Sequence, residues 1–365
     1  MYNYGFKVCV RCYTYNHSKY IREALDGFTM QQTSFPFVCI IVDDASTDGE
    51  PEVLSQYLEE NFDLNDTLIV RQENSDDYMM TFARHRKNVN CYFAVYLLKN
   101  NHYSIRKPKY QYYEDFFRGI KYLAICEGDD YWIDPMKLQT QVDYMEKHPD
   151  CTMTCSRAKR FSEKKGKYIS EQYCRKSDGI LSPVDIINRT GLYIPTCSIV
   201  YRPWLKDNYP DYCHNCKVGD YPLQITAAMK GNVYYFNRSM CVYRIDNSSS
   251  WIGKQKKESI DPERLKVVNG QKEMFEGFAK DYPKYRLIFQ NKIFEHILKN
   301  MPKSHTFNAD ELQIYEDYFS EVFSNLPLKW KFYSMICKSR ITIILKWYKK
   351  VFLLKYRPKV MVYKN

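Results

Sequence analysis

Short apolar runs separated by polar segments dominate the first 250 residues of the chain. Runs of about four to eight apolar residues are typical of buried strands, particularly where β-branched residues are frequent. They predict strands at Phe6–Cys12, Phe37–Val42, Thr67–Val70, Tyr122–Cys126, Thr152–Ser156, Cys197–Tyr201 and Val233–Phe236.

Helical periodicity fills most of the intervals between these strands. Ile21, Ala24, Leu25 and Phe28 share one face of a predicted helix, for which Ser18 is the expected N-cap. Further helices are predicted at Pro51–Asn61, Asp134–Lys147 and Pro222–Lys230, whereas residues 73–112 show no clear period. The alternation predicts an α/β fold with a mostly parallel sheet flanked by helices, and such sheets bind ligands at the carboxyl ends of their strands.

From Asp261 onward the pattern becomes helical and ends in a basic amphipathic segment. We therefore expect three parts: a catalytic domain over residues 1–250, a helical region over 251–326 and a basic tail over 327–365. No internal repeat is visible.

Composition narrows the class of protein. Of 365 residues, 45% are hydrophobic and 27% are charged, which excludes collagen-like and disordered chains. No stretch approaches the roughly 20 apolar residues of a membrane-spanning helix, and residues 1–7 have no apolar signal core. We expect a cytoplasmic protein whose 13 Cys are reduced thiols.

The net charge of +11 lies entirely in the tail. After Glu321 the chain has no acidic residue and 11 basic ones, so the preceding residues are balanced. Ile344, Tyr348 and Phe352 share one side of a predicted helix, with basic residues such as Lys346 on another. Such a helix suits an anionic membrane surface, while packing on the body and binding of nucleic acid are the alternatives.

Two acidic clusters follow predicted strands directly. Asp43 and Asp44 follow one, and Glu127-Gly128-Asp129-Asp130 follows another. A parallel sheet places both clusters at one edge, where neighbouring carboxylates require a cation or hydrogen-bond donors. The alternative is two solvated turns or helix caps.

These motifs resemble the family-2 glycosyltransferases with the GT-A fold. The resemblance covers roughly residues 5–250 and is carried by V-C-V-R-C-Y-T-Y-N-H-S from residue 8, I-I-V-D-D-A-S-T-D-G from residue 40 and Y-L-A-I-C-E-G-D-D-Y-W from residue 122. It implies transfer of a sugar from a nucleoside diphosphate donor, with inversion at the anomeric carbon. It also implies a Mg²⁺ or Mn²⁺ cofactor.

The resemblance assigns roles to residues at the first two motifs. Thr14 and Tyr15 are expected to pack on the base of the donor. Asp44 is expected to accept from the base N–H, with Asp43, Ser46 and Asp48 shaping the same turn.

The third motif and two later segments complete the expected site. Asp129 and Asp130 match the metal-binding acids, with Glu127 in the first position of a D-x-D. Asp220 matches the catalytic base, although an N-cap role for the following helix is the alternative. In Y-R-I-D, Asp246 stands where relatives often carry His and is expected to complete the cation site, with Arg244 facing phosphate.

Several departures limit what the resemblance implies. Tyr13 replaces the usual Pro, Gly219 replaces a common Glu, and the Q-x-x-R-W motif of processive synthases is absent. A single-addition transferase acting on a glycan or lipid-linked acceptor in cell-surface polysaccharide synthesis is therefore expected, peripheral on the inner face of the membrane. A sugar-nucleotide nucleotidylyltransferase would need a Gly-rich phosphate loop, and a nucleic-acid-binding protein would need a basic body; neither feature is present.

A zinc site is a weaker possibility. Cys213-His214-Asn215-Cys216 and the Cys9/Cys12 pair suggest metal ligands, but their spacing does not match a typical four-ligand site. Cys9 and Cys12 lie on a predicted buried strand, where free Cys behaves as a small hydrophobe.

Overall fold

Parallel strands built from the predicted apolar runs form the centre of one large sheet. The computed structural model describes residues 5–188, 193–216, 219–245, 262–300 and 360–362. In chain order its strands are β1 (Val8–Thr14), β2 (Phe37–Asp43), β3 (Phe62–Asp63), β4 (Arg71–Asn74), β5 (Tyr78–His85), β6 (Cys91–Leu98), β7 (Tyr122–Ile125), β8 (Tyr131–Trp132), β9 (Cys151–Ser162), β10 (Lys167–Gln172), β11 (Gly179–Ile180), β12 (Val200–Tyr201), β13 (Asn232–Ile245) and β14 (Val360–Val362).

Helices connect the central strands and cover both faces of the sheet. They are α1 (Ile21–Thr29), α2 (Glu50–Asn61), α3 (His102–Ile105), α4 (Lys137–Lys147), α5 (Pro183–Asn188), α6 (Trp204–Asp207), α7 (Asp220–Lys230), α8 (Pro262–Asp281) and α9 (Arg286–Asn300). Short 3₁₀ turns occur at Tyr110–Tyr112, Glu114–Phe117, Glu163–Lys165, Thr196–Ser198, Asp211–Cys213 and Pro283–Tyr285.

The strand order is β11-β13-β9-β12-β7-β1-β2-β6-β5-β3. Strands β7, β1, β2 and β6 run parallel, with Thr14 paired with Asp43 and Arg11 with Ile125. The α/β class and the mostly parallel sheet are therefore confirmed.

Side chains of the central strands alternate between two cores, one on each face of the sheet. On β1, Val8, Val10 and Cys12 enter one core, whereas Cys9 enters the other. Burial of both faces explains why these strands read as continuous apolar runs instead of alternating patterns.

Three local expectations differ from the structure. Helix α1 starts at Ile21 after Tyr20, so Ser18 is not its N-cap. The strand expected at Thr67–Val70 begins at Arg71, because Asp66 accepts from the backbone N–H groups of Ile69 and Val70 in a turn. The aperiodic residues 73–112 contain the antiparallel pair β5 and β6.

Helices α8 and α9 pack on the sheet domain. Met274, Phe275, Phe278 and Phe289 are almost fully buried and belong to the same core as strands β7 and β12. The ring of Phe275 packs edge-on against Tyr221, with 5.9 Å between centroids. These helices extend the core that the sheet begins.

Most of the expected basic tail lies outside the described residues. Val360–Val362 is an exception, because these residues form β14, which pairs antiparallel with β10 at Ser170–Gln172. No helix in the described parts of the chain is long and apolar enough to cross a membrane.

Candidate functional site

Three parallel strands end side by side at one edge of the sheet. The carbonyl of Thr14, at the end of β1, accepts from the Asp44 N–H at 3.0 Å, and the Tyr13 carbonyl accepts from the Gly128 N–H at 3.1 Å. Gly128 lies so close to β1 that a Cβ there would be 2.7 Å from Thr14 Cβ and would overlap Thr14 Oγ1. The structure thus brings both acidic clusters to Thr14.

A buried carboxylate joins the loop after β1 to the loop after β2. Glu50, the first residue of α2, is fully buried. Its carboxylate accepts from the Thr14 hydroxyl, from the His17 N–H at 2.8 Å and from the Ser46 hydroxyl at 2.9 Å. Burial raises the pKa of Glu50 to about 7. Glu50 could not be recognised from the sequence, because an acid in the first turn of a helix is ordinary.

Further hydrogen bonds fix the same two loops. Ser46 Oγ accepts from the Asn16 N–H at 2.8 Å, and Asp48 accepts from the Ser18 N–H at 3.0 Å. Asn16 Oδ1 in turn accepts from the Thr47 N–H. Tyr15 remains 37% exposed at the edge of this pair of loops. Ser46 and Asp48 therefore hold the loop after β2 against the loop after β1.

Asp43 and Asp44 have different surroundings. Both oxygens of Asp44 are engaged by the chain: they accept from the N–H groups of His102 and Tyr103, and Lys109 Nζ lies 2.6 Å from Oδ2. Asp43 is also buried, but its Oδ1 makes no hydrogen bond within the described residues. The structure thus gives Asp44 a role in holding residues 102–109 and leaves Asp43 with the unsatisfied oxygen.

The acids of the third motif diverge in orientation. Glu127 is exposed in the cleft and Asp129 is half-buried, whereas Asp130 is buried and accepts from the Arg244 N–H at 2.8 Å. Loss of solvation in the cleft, with the nearby Asp129 charge, raises the pKa of Glu127 to about 7. Burial raises the pKa of Asp130 well above its ordinary range. Glu127 and Asp129 are thus the more accessible members of the predicted metal-binding set.

Arg244 is paired with carboxylates of the chain itself. Its guanidinium pairs with Glu23 and, at 2.5 Å, with Glu163, and its Cζ lies 4.8 Å from the ring centroid of Tyr20. Buried among acids and rings, the guanidinium is already neutralised, and its expected role toward phosphate stays a prediction. Asp246 lies outside the described residues.

Asp220 reaches the cleft from a separate element. It is the first residue of α7, one position after the N-cap Gly219, and its carboxylate accepts from backbone N–H groups at the start of the helix. Its Oδ2 accepts from the Thr196 hydroxyl at 2.9 Å, and Thr196 begins a 3₁₀ turn that leads into β12 beside β7. The charge of Asp220 helps to raise the pKa of Glu127, and burial raises the pKa of Asp220 itself.

The described cysteines do not form a zinc site. All of them are buried and none is in a disulfide. Cys9 and Cys12 face opposite sides of the sheet, so they cannot bind one ion together. Across the described ranges, no three His, Cys, Asp or Glu side chains are placed to hold a metal ion by themselves.

The fold is similar to that of glycosyltransferases of the GT-A class. The chain resembles the crystal structure of S. aureus TarS residues 1–349 in complex with UDP, with a TM-score of 0.53 and 14% identity over 99% of this chain and 97% of that one. A longer TarS structure gives a TM-score of 0.51 and 14% identity over 96% of this chain and 54% of its own.

Sequence comparison gives the family. Residues 10–78 match the family described as Glycosyl transferase family 2. An uncharacterized protein of Mycobacterium bovis and one of Mycobacterium tuberculosis are each 34% identical over 238 residues, 65% of this chain. The match spans 58% of the length of these relatives.

Proposed function

We propose that this protein is a metal-dependent, inverting and non-processive glycosyltransferase. It moves one sugar from a nucleoside diphosphate donor, preferably a uridine diphosphate sugar, to a glycan or lipid-linked acceptor in cell-surface polysaccharide synthesis. The observation that supports the proposal is that Asp220, at the start of α7, is near enough to the turn after β7 for its charge to raise the pKa of Glu127.

The two joined loops are the proposed site for the nucleotide. Glu50, Ser46 and Asp48 hold the loops together without a ligand, so the site is organised before binding. The N–H of a base would satisfy the buried Oδ1 of Asp43, which makes no hydrogen bond within the described residues. Tyr15 is exposed beside it and can pack on the base. The likeness to a UDP-bound structure supports a donor site on this fold.

The residues present fit a divalent cation of the Mg²⁺ or Mn²⁺ type. Glu127 and Asp129 offer carboxylate oxygens, which these ions prefer. Because no three such groups converge in the described part of the chain, the diphosphate of the donor must complete the coordination. When bound there, the ion would neutralise charge that develops on the leaving diphosphate.

Asp220 is proposed to take the proton of the acceptor hydroxyl. Inversion requires attack from the face of the sugar opposite the leaving diphosphate, and Asp220 belongs to a different element from the acidic turn. Burial brings its pKa closer to neutrality, which improves a carboxylate as a general base. The Thr196 hydroxyl fixes the orientation of the carboxylate.

The remaining partners are inferred from charge. The body is neutral and all 11 excess basic residues follow Glu321, so an anionic membrane surface is the proposed docking partner. We place the enzyme on the cytoplasmic face of the membrane, where a lipid-linked acceptor would be available. Nucleic acid is not expected as a partner.

A thermal-shift screen of UDP, GDP and ADP, each with and without Mn²⁺, tests the donor class. A ligand present at about 100 times its Kd stabilises the native state by about 2.7 kcal/mol. We expect UDP with Mn²⁺ to give the largest rise in Tm and release of UDP from a matching sugar donor to follow.

Asp129→Asn should remove the Mn²⁺-dependent part of that shift. Asp143→Asn is the matched control, because Asp143 lies on the exposed side of α4 and accepts from Gln139 away from the cleft. If no nucleoside diphosphate stabilises the wild-type protein under either condition, the proposed function is wrong.

A further inference from the structure

His17 lies at the centre of the joined loops, where the sequence analysis assigned no role. Its Nδ1 is 3.2 Å from Thr14 Oγ1, and its backbone N–H donates to Glu50. The side chain is half-buried, and its pKa is lowered by that burial, although the charges of Asp129 and Asp48 act in the opposite direction. The imidazole is therefore neutral near physiological pH.

The hydrogen bonds of Thr14 determine which nitrogen of His17 carries the proton. The single hydroxyl proton of Thr14 is donated to the Glu50 carboxylate. Thr14 Oγ1 can then only accept, so the donor at 3.2 Å must be His17 Nδ1–H. In a neutral imidazole this leaves the lone pair on Nε2. A series of three residues, Glu50, Thr14 and His17, thus fixes the tautomer.

His17 and Asp129 flank the same hydroxyl group. Gly128 packs directly on Thr14 Oγ1, which places Asp129 one residue from the atom that holds the imidazole. Neutral imidazole nitrogen is a good ligand for Mn²⁺-type cations and a poor one for phosphate oxygen, which needs an N–H donor.

We propose that His17 Nε2 is a ligand of the divalent cation that accompanies the donor diphosphate, with Glu50 and Thr14 acting as the positioning residues that fix its tautomer. This inference rests on the proposed function. It supplies one protein ligand besides Asp129 and leaves the other coordination positions to diphosphate oxygens and water. Removing a residue that hydrogen-bonds to a metal-ligating His typically lowers metal affinity by about 10–100-fold. Removing the ligating His itself should lower the affinity at least as much.

Electron spin-echo spectroscopy of Mn²⁺ with UDP at pH 8 tests the ligand directly. At that pH Glu50 is ionised and accepts from Thr14. We expect modulation from one directly coordinated ¹⁴N in the wild-type protein. His17→Asn keeps an N–H near the Nδ1 position but lacks the outer nitrogen, so it should lose the modulation and raise the Mn²⁺ Kd by about tenfold or more.

Two further variants complete the design. His17→Gln places an amide oxygen near the Nε2 position and should recover part of the Mn²⁺ affinity without nitrogen modulation. His214→Asn, at an exposed residue outside the cleft, should behave as wild type. Nitrogen modulation that persists in His17→Asn, or Mn²⁺ that binds wild type with UDP without modulation, overturns this inference and leaves the proposed function intact. Absence of any nucleoside diphosphate binding overturns both.

Discussion

Glu50 accepts three hydrogen bonds at full burial, and the donors belong to three different residues of the two joined loops. An unsatisfied buried donor costs about 1–3 kcal/mol, so loss of this carboxylate would affect both loops together. Its protonation state matters as well, because burial raises its pKa from 4.5 to about 7.

The raised pKa predicts a pH-dependent stability. The folded state holds the Glu50 proton up to about pH 7, whereas the unfolded chain releases it near 4.5, so this contribution is complete below pH 4.5 and is lost as the pH rises to 7. Glu50→Gln should flatten the fall in unfolding free energy between pH 5 and 7 by up to about 1.4 kcal/mol per pH unit. Urea unfolding at several pH values measures this pH dependence of the unfolding free energy. Glu52→Gln, at an exposed residue of the same helix, is the control. An unchanged slope in Glu50→Gln would contradict the assignment.

Asp220 gives a prediction about the rate of transfer. Asp220→Asn should lower kcat by about 10²–10⁴-fold, because general-base catalysis contributes that much, while UDP binding stays unchanged. Thr196→Val should keep most of the activity. Because the Thr196 hydroxyl lowers the pKa of Asp220, its removal should shift the acidic limb of the pH–rate profile to higher pH. Near-normal turnover in Asp220→Asn would place the base elsewhere, and Glu114 and Asp115 would be tested next.

Residue types predicted much of the site, but not how the residues share hydrogen bonds. Asp220 and the Glu127–Asp130 turn were proposed from local motifs that resemble the family, and their roles stay predictions. Glu50 and His17 were missed, because their importance depends on contacts between loops separated by about 30 residues. The ion pairs of Arg244 could not be predicted for the same reason: its partners Glu23 and Glu163 come from distant segments.

At the scale of elements, the close approach of β1 to the turn after β7 places the acidic motif. The approach depends on Gly128, where a Cβ would overlap Thr14 Oγ1. Buried apolar runs predicted these strands correctly, since a strand covered on both faces needs apolar residues at every position. The pair β5 and β6 was missed, because its Tyr-rich residues show no simple period.

Gly128→Ala should therefore separate the strand from the turn. We expect lower stability by about 1–3 kcal/mol, the usual cost of overpacking, together with loss of Mn²⁺-dependent UDP binding. Gly219→Ala is the matched control, because no heavy atom lies within 4 Å of a Cβ at that glycine of the same cleft. Thermal unfolding and UDP titration compare the Tm and the UDP affinity of the two variants. Equal values in both would show that the close approach of β1 to the turn after β7 is not required.

At the scale of the whole molecule, charge is distributed unevenly. Residues after Glu321 hold the entire +11 excess on a neutral body. A protein ending at Leu326 retains α8 and α9, so it should fold and bind UDP but no longer pellet with anionic vesicles. Each Lys or Arg near such a surface contributes about 1 kcal/mol, and full-length binding should weaken as salt is raised.

A charge variant separates membrane binding from loss of structure. Replacing Lys346, Lys349 and Lys350 with Gln keeps the chain length and should weaken vesicle binding in part. Vesicle binding by the shortened protein equal to that of the full chain would remove the membrane assignment. Aggregation or early melting of the shortened protein would instead show that the tail covers apolar surface of the body.

The packing of α8 and α9 on the sheet also has a consequence for synthesis on the ribosome. Phe289 and Ile293 complete a core that β1 begins with Cys9, about 280 residues earlier. The carbonyl of Asn188 similarly accepts from Lys292 Nζ, at 2.9 Å. Apolar surface of the nascent sheet therefore stays uncovered until residue 293 has left the exit tunnel. During that interval we expect a chaperone to bind this surface.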